Sequence, residues 1–414
     1  MSQEKLKVFL KIILFLGVTV FIFFLLYLVF FRTPEKKNTP LPEEKILVSL
    51  PLPESKTGEQ KIRIEKPASL LPQAPEGIRP PKKNEDLIAK GNLTYVTPLV
   101  SSPVEHLKIL EEAQKNIFYN QKDGKFYSID KNGATQSLSQ SSFPDVKKVT
   151  WTNDALKAIL EFPDSSKIIY NFSTQKQISL PKHWSNFDFS SSGEEIVGKS
   201  LGIDRENRWL IIFNSDGTKV KQIERIGDND DQIIPDWSPN EQIIALQEKS
   251  IDFNRQTISF IGKNKENFRA TIAEGRGLLH QWSPNGNRLF YSVYSSDTDL
   301  KPILWGVDAS GESIGQNRIK IPLNTWADKC AIIDNETALC GAPKYLPKGS
   351  GIIRTIADDI PDELFEVDYI RGTVSRIATF EDNQIITQPA VTPDKKFFLF
   401  IDGATKELRR IQLK

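Results

Sequence analysis

A few side chains in this sequence could do chemistry, and their spacing argues against most of it. Gly198-Lys199-Ser200-Leu201-Gly202 fits G-x-S-x-G, the pattern in which a serine on a strained strand-to-helix turn becomes a nucleophile beside an oxyanion hole. Here a strand pattern leads in, but the charged stretch Asp204-Arg205-Glu206-Asn207 and a further strand pattern follow. The match is therefore read as a strand end. His106, His183 and His280 lie far apart, in no metal-ligand spacing, and are expected to line a core or channel. The acidic clusters Asp228-Asn229-Asp230-Asp231 and Asp358-Asp359 have the residue types of calcium ligands but match no EF-hand loop, and are read as solvated loops. Sequons at Asn92, Asn171 and Asn335 matter only in a secreted eukaryotic chain. No catalytic residue, cofactor or metal is predicted, and an enzyme is not expected. Cys330 and Cys340 are the only cysteines. They flank the turn Asp334-Asn335-Glu336, and a hairpin centred there sets them nearly opposite each other on adjacent strands, within bridging range. An extracytoplasmic address favours a disulfide, with buried free thiols as the alternative, while two cysteines alone close no tetrahedral zinc.

What must position these residues is a repeat. Asp236-Trp237-Ser238-Pro239-Asn240 returns as Gln281-Trp282-Ser283-Pro284-Asn285, each ahead of a β-rich apolar run. Trp151-Thr152-Asn153-Asp154, Phe189-Ser190-Ser191-Ser192-Gly193 and Val391-Thr392-Pro393-Asp394 are looser copies. Leu110-Glu111-Glu112-Ala113 and Ile332-Ile333-Asp334-Asn335-Glu336 are degenerate ones. The pivots fall at Leu110, Trp151, Phe189, Trp237, Trp282, Ile332 and Val391. The physical reading is a hairpin: an inner strand ends at a bulky apolar pivot, a turn reverses the chain, and a second strand follows, because Pro presets φ and Asn or Gly tolerates φ > 0. Third strands such as Trp209 to Asn214 and Ile303 to Asp308, and usually a fourth, complete a four-stranded meander. One such sheet cannot bury both faces alone, whereas a ring of them can. The last unit offers only three strands, and a spare segment, Leu93 to Leu99, stands before the first. Pairing that segment onto the last unit closes the ring and removes exposed edges. Seven blades is the preferred count, with six and eight left open by the two degenerate copies.

Trp-Ser-Pro-Asn-Gly ahead of an apolar strand resembles the WD40-like β-propeller repeat of the periplasmic TolB protein and of some peptidase propellers. The resemblance is tight over two copies, loose in the others, and covers residues 92 to 414. It implies an all-β propeller and no activity, since this repeat carries no catalytic residues of its own and the fold hosts many functions.

Lys plus Arg number 54 against 53 Asp plus Glu, so no basic stripe offers itself to phosphates and nucleic acid is not an expected partner. After a short tail, 1–11, residues Ile12 to Phe31 form an unbroken apolar run long enough to cross about 30 Å of hydrocarbon as a helix. The run ends Leu-Val-Phe-Phe-Arg with no small-residue cleavage site, which favours a retained signal-anchor over a cleaved signal peptide. Lys5, Lys7 and Lys11 before the run nearly balance Arg32, Lys36 and Lys37 after it. A single span with a short tail nonetheless favours the N-terminus in the cytoplasm and the large domain outside. From 32 to 91 the chain carries ten prolines and few aromatics, the composition of a disordered tether.

In a meander propeller the first-to-second and third-to-fourth turns share one face of the disc, while second-to-third loops and inter-blade links share the other. The insertions all belong to the second class: Leu201 to Asn207, Ser250 to Arg255, Tyr294 to Pro302 and Pro343 to Pro361. Their Arg205, Phe253, Arg255, Tyr294, Tyr345 and Arg354 are the binding-face candidates. The expected function is a membrane-anchored extracytoplasmic module that binds a protein, peptide or envelope polymer. The alternatives are a propeller enzyme using the central channel, for which Asp188 and Asp236 are the pivot-adjacent acids, and a structural spacer in an envelope complex.

Overall fold

The computed structural model describes residues 79–110, 115–130, 133–266 and 268–413. The apolar run at 12–31 and most of the segment 32–91 lie outside these. Among the described residues no helix is long and apolar enough to cross a membrane.

The described chain is a seven-bladed β-propeller, each blade a four-stranded antiparallel sheet. Its innermost strands are Val104–Leu110, Lys148–Trp151, Trp184–Phe189, Ile233–Pro235, Arg276–Trp282, Cys330–Ile332 and Ile386–Val391, in blades 1 to 7. Six of them end at the predicted pivot, and that of blade 4 stops two residues short of Trp237.

The turn after each pivot shows why the repeat is written as it is. Ser238 Oγ accepts from the Ile243 amide (2.9 Å) and donates to Asn240 Oδ1 (2.7 Å). Ser283 does the same with the Arg288 amide (2.9 Å) and Asn285 (2.8 Å). Thr392 repeats it with the Phe397 amide and Asp394, and Thr152 with the Lys157 amide and Asp154. The hydroxyl thus ties the pivot to the start of the second strand, and the Asn or Asp two residues on holds the hydroxyl. The third residue after the hydroxyl is left-handed every time: Ala155, Gly193, Glu241, Gly286 and Lys395 all have φ between +51° and +70°.

The second strands form the buried floor of each blade: Phe290 and Tyr291, Ile244 and Ala245, and Phe398 and Phe400 are all at most 1% exposed. Aromatic and β-branched residues suit a surface packed on both faces. The sheets stack through shared clusters, as where Val197 and Leu210 of blade 3 meet Trp237 and Ile244 of blade 4.

Closure differs in detail from the expected pairing of Leu93 to Leu99. The strand that completes blade 7 is Thr97–Val100, antiparallel to Leu408–Gln412. Leu93 bridges Thr379 in parallel, at the end of blade 6's outermost strand Thr373–Ala378, and Ile88 bridges Gln412. Residues upstream of 92 also belong to the packed domain. Arg79 forks onto Glu85 with two 2.6 Å bonds and reaches Asp382 at 3.3 Å, and Lys82 pairs with Glu381 at 2.6 Å. The fork holds the almost fully buried Glu85 carboxyl down at about 2. Residues 79–95 therefore form a clasp over the junction of blades 6 and 7, part of the segment that composition assigns to a tether. Composition reads solvated, proline-rich chain, and here such chain is held by ion pairs and by backbone bonds to strands already formed.

Candidate functional site

Two regions offer chemistry or contact: the channel wall in blades 3 to 5, and the loop face.

On the channel wall, Asp188 and Asp236 are brought together from neighbouring blades. Asp188 Oδ2 accepts the Trp237 amide at 2.6 Å. Asp236 Oδ2 stands 2.5 Å from His280 Nε2 and accepts from Trp282 Nε1 at 2.9 Å. Burial, and then the neighbouring Asp236 charge, push the Asp188 carboxyl well above the carboxylate range. The arrangement links blades 3, 4 and 5 at one point. Sequence reading singled out both acids and His280 but not their meeting, which depends on how three blades abut.

The other chemistry-bearing residues stay apart. Lys199 and Ser200 of the G-x-S-x-G match sit inside the regular strand Glu195–Leu201, and the Lys199 ammonium bonds to the carbonyls of Asp230 and Ile233. That is no nucleophile elbow. His106 is partly buried, which pushes its imidazole below its usual pKa, while His183 is exposed. Among the described residues no group of His, Cys, Asp and Glu could hold a metal. Asp228 and Asp230 pair with Arg205 and Arg208. Cys330 faces Cys340 in the first hairpin of blade 6, and their sulfurs are bonded.

The loop face carries five of the six candidate binding residues in its loops. Phe253 is 59% and Tyr345 67% exposed. Arg205 pairs with Asp228, Arg255 with Asp252 at 2.7 Å and Arg354 with Asp328 at 2.6 Å, and Arg354 also lies over the Trp326 ring at 4.8 Å. Tyr294, the sixth, ends its strand and is half-buried, serving as a footing for the longest loop. Gly351 packs so closely on it that an added Cβ would fall 2.5 Å from the Tyr294 Cβ. The loops of blades 4, 5 and 6 are tied to one another: Ser296 donates to Asn254 Oδ1, and the Gly349 and Gly351 amides donate to the Asp299 and Leu300 carbonyls. On these tied loops Ile251, Phe253, Tyr345, Ile352, Ile353 and Ile356 project into solvent, and Ile203, at 97% exposure, stands on the neighbouring blade 3 loop. Sequence reading chose aromatics and arginines here and missed the isoleucines. Their signal was available, since isoleucine in a long charged insertion has no core to enter.

The opposite, tight-turn face is different. At the channel mouth a cavity of about 700 Å³ is lined by Lys108, Thr152, Asn153, Asp154, Ser191 and Ser192, with Leu110, Leu156, Pro239 and Pro284 beside them. Its polar groups are the Lys108 side chain, from the innermost strand of blade 1, and hydroxyls, an amide and one carboxylate from the hairpin turns.

No family model matches the sequence, and no curated protein does. Among solved structures, the chain is similar to the β-propeller domain of Cps50 (Swd1) from Myceliophteria thermophila, with a TM-score of 0.54 and 10% identity over 77% of this chain and 100% of that one. An oligogalacturonate lyase in complex with manganese superposes with a TM-score of 0.51 and 14% identity over 77% of this chain and 93% of the other. The oligogalacturonate lyase of Vibrio parahaemolyticus gives 0.50 and 10%, with the same coverage. At these identities the likeness is one of fold, and by fold the chain is a β-propeller.

Proposed function

We propose that the chain is a membrane-anchored, extracytoplasmic interaction module that presents a rigid disc to a protein, peptide or envelope polymer. One observation carries this reading: the two faces are differentiated, with a crest of exposed apolar side chains on tied loops on one and, on the other, a concave bowl at the channel mouth whose lining mixes polar turn residues with leucines and prolines. Concentrated exposed apolar surface is costly in water and marks contact surfaces on soluble domains. The Cys330–Cys340 bond suits an oxidising compartment, and the run Ile12 to Phe31 supplies the anchor. The test is in-cell photocrosslinking from Asn153 and Ser191 on the bowl and from Phe253 and Ile353 on the crest. Macromolecular adducts from either face support the module. Their absence from both faces, or protection of the propeller from protease added to intact spheroplasts, overturns it.

The second reading, a propeller enzyme, is favoured by the Asp188–Asp236–His280 contact. Against it, the three groups are taken up by one another and by the Trp237 amide and Trp282 indole, whereas a general acid must be free to face its substrate. Hydrolase or lyase activity on a panel of polymers, lost on Asp236→Asn with the fold intact, would establish it.

A further inference from the structure

We infer that the apolar crest of blades 4 to 6 seats on the surface of the bilayer in which the chain is anchored, leaving the bowl at the channel mouth turned outward for a partner. This rests on the anchored-module reading above and names what the crest itself touches. Three observations point to lipid. The first is where the chain arrives. Arg79 and Lys82 are ion-paired to Asp382 and Glu381. Those acids lie on the link between blade 6's outermost strand Thr373–Ala378 and blade 7's innermost strand Ile386–Val391. Inter-blade links share a face with second-to-third loops, so the segment coming from the apolar run enters on the crest's own face. It enters beside the crest's longest loop, whose end is tied to that link by the Asp362 amide on the Gln384 carbonyl (2.7 Å).

The second is composition. Protein hot spots are rich in Trp, Tyr and Arg. Here the projecting groups are mainly isoleucines with one Phe and one Tyr, and Arg255 and Arg354 are held in ion pairs. Aliphatic side chains with an occasional aromatic are what inserts at the boundary of headgroups and acyl chains. The third is charge. Besides those pairs, exposed Lys344 and Lys348 on the longest loop are matched by exposed Asp358 and Asp359. The crest is close to neutral, so the contact needs apolar burial and not anionic lipid.

The chain's only two cysteines are bonded to each other, so a single introduced thiol can be labelled in the full-length protein. Ile353→Cys and Phe253→Cys on the crest, and Leu156→Cys and Ile370→Cys on the tight-turn face, would carry a polarity-sensitive fluorophore in protein reconstituted into phosphatidylcholine vesicles. The expected result is a blue shift at positions 353 and 253, with lipid-borne quenching several-fold stronger than at 156 and 370. It should be unchanged by anionic lipid or raised salt. Equal lipid quenching at all four positions overturns the inference. So does a blue shift at 353 that persists in detergent and grows with protein concentration, which would make the crest a contact between copies. So does a blue shift at 353 that needs an added extract, which would make it a protein site. Alkaline extraction of the same vesicles separates the two readings. Release of the chain sinks the anchor, whereas a retained chain without site-specific quenching sinks only the seating of the crest.

Discussion

The charged residues that matter most to this fold are buried ones that hold blades together. Lys329 and Asp362 form such a pair in blade 6, 7% and 0% exposed at the side chain and 2.6 Å apart, and the same Asp362 oxygen accepts the Ile386 amide of blade 7. Burial still lifts the Asp362 carboxyl above its ordinary range. Lys329→Met strands a buried carboxylate, and urea titration should show a loss of about 3–5 kcal/mol. Asp188 gives a pH signature instead. Its carboxyl is raised by burial and by Asp236, so the folded state holds a proton that unfolding releases. Its stabilising contribution is full below the unfolded-state carboxyl pKa and is lost as pH rises through the folded value. Asn at this position copies the protonated acid, accepting the Trp237 amide and donating to Asp236. Asp188→Asn should therefore melt close to the parent near pH ~4 and several degrees above it near pH ~8. A lower melting temperature at the alkaline end would show that Asp188 works as a carboxylate.

At the scale of the element, the unit is the pivot hairpin, and its cost sits at one position. Glu241 occupies the left-handed site at φ +60° that Gly193 and Gly286 fill without strain in the neighbouring blades. Its side chain is exposed. Glu241→Gly should stabilise by about 0.5–1 kcal/mol, the relief at φ > 0 outweighing the added freedom of the unfolded chain. Gly286→Ala should do the reverse and more, because an added Cβ there meets the Asn240 amide at 2.6 Å. In blade 6 the degenerate hairpin lacks the Ser-Pro-Asn turn, and the Cys330–Cys340 bond joins its two strands. For a loop this short, replacing both by Ala should cost about 2–3 kcal/mol in calorimetry under non-reducing conditions and nothing further under reducing ones.

For the whole molecule the question is how the ring stays shut. Val100 is fully buried and packs with Ile401 and Leu408 of blade 7 and with Phe118 and Tyr127 of blade 1, so the closing strand serves both neighbours. A chain beginning at Ser102 loses that strand and should melt far below one beginning at Arg79, or aggregate through the open edge. A chain beginning at Gly91 should fall between them, since it keeps Thr97–Val100 but loses the Arg79–Glu85 fork over the blade 6 and 7 junction. Equal melting of the last two would show that the clasp adds nothing to closure.

Blade number, strands per blade and closure by the N-terminal segment were readable from the residues because each is a local pattern. Ser-Pro-Asn specifies a turn through its own hydroxyl and amide, alternating apolar runs specify strands, and a unit one strand short specifies its missing edge. The loop face was readable for the same reason, as loop length is written along the chain. Other features depended on neighbours that sequence does not name. Nothing in Ala155, Glu241 or Lys395 announces a left-handed residue, yet the turn imposes it. Of the β-bulges in the innermost strands of blades 1, 3, 5 and 7, those at Asn186 and Gly277 sit on residue types that favour φ > 0, whereas those at His106 and Gln388 carry no local mark. The meeting of Asp188, Asp236 and His280 and the clasp of residues 79–95 are of the same kind. Local hydrogen bonding is settled by residues a few places apart, whereas proximity across blades is settled only when seven sheets have packed into one ring.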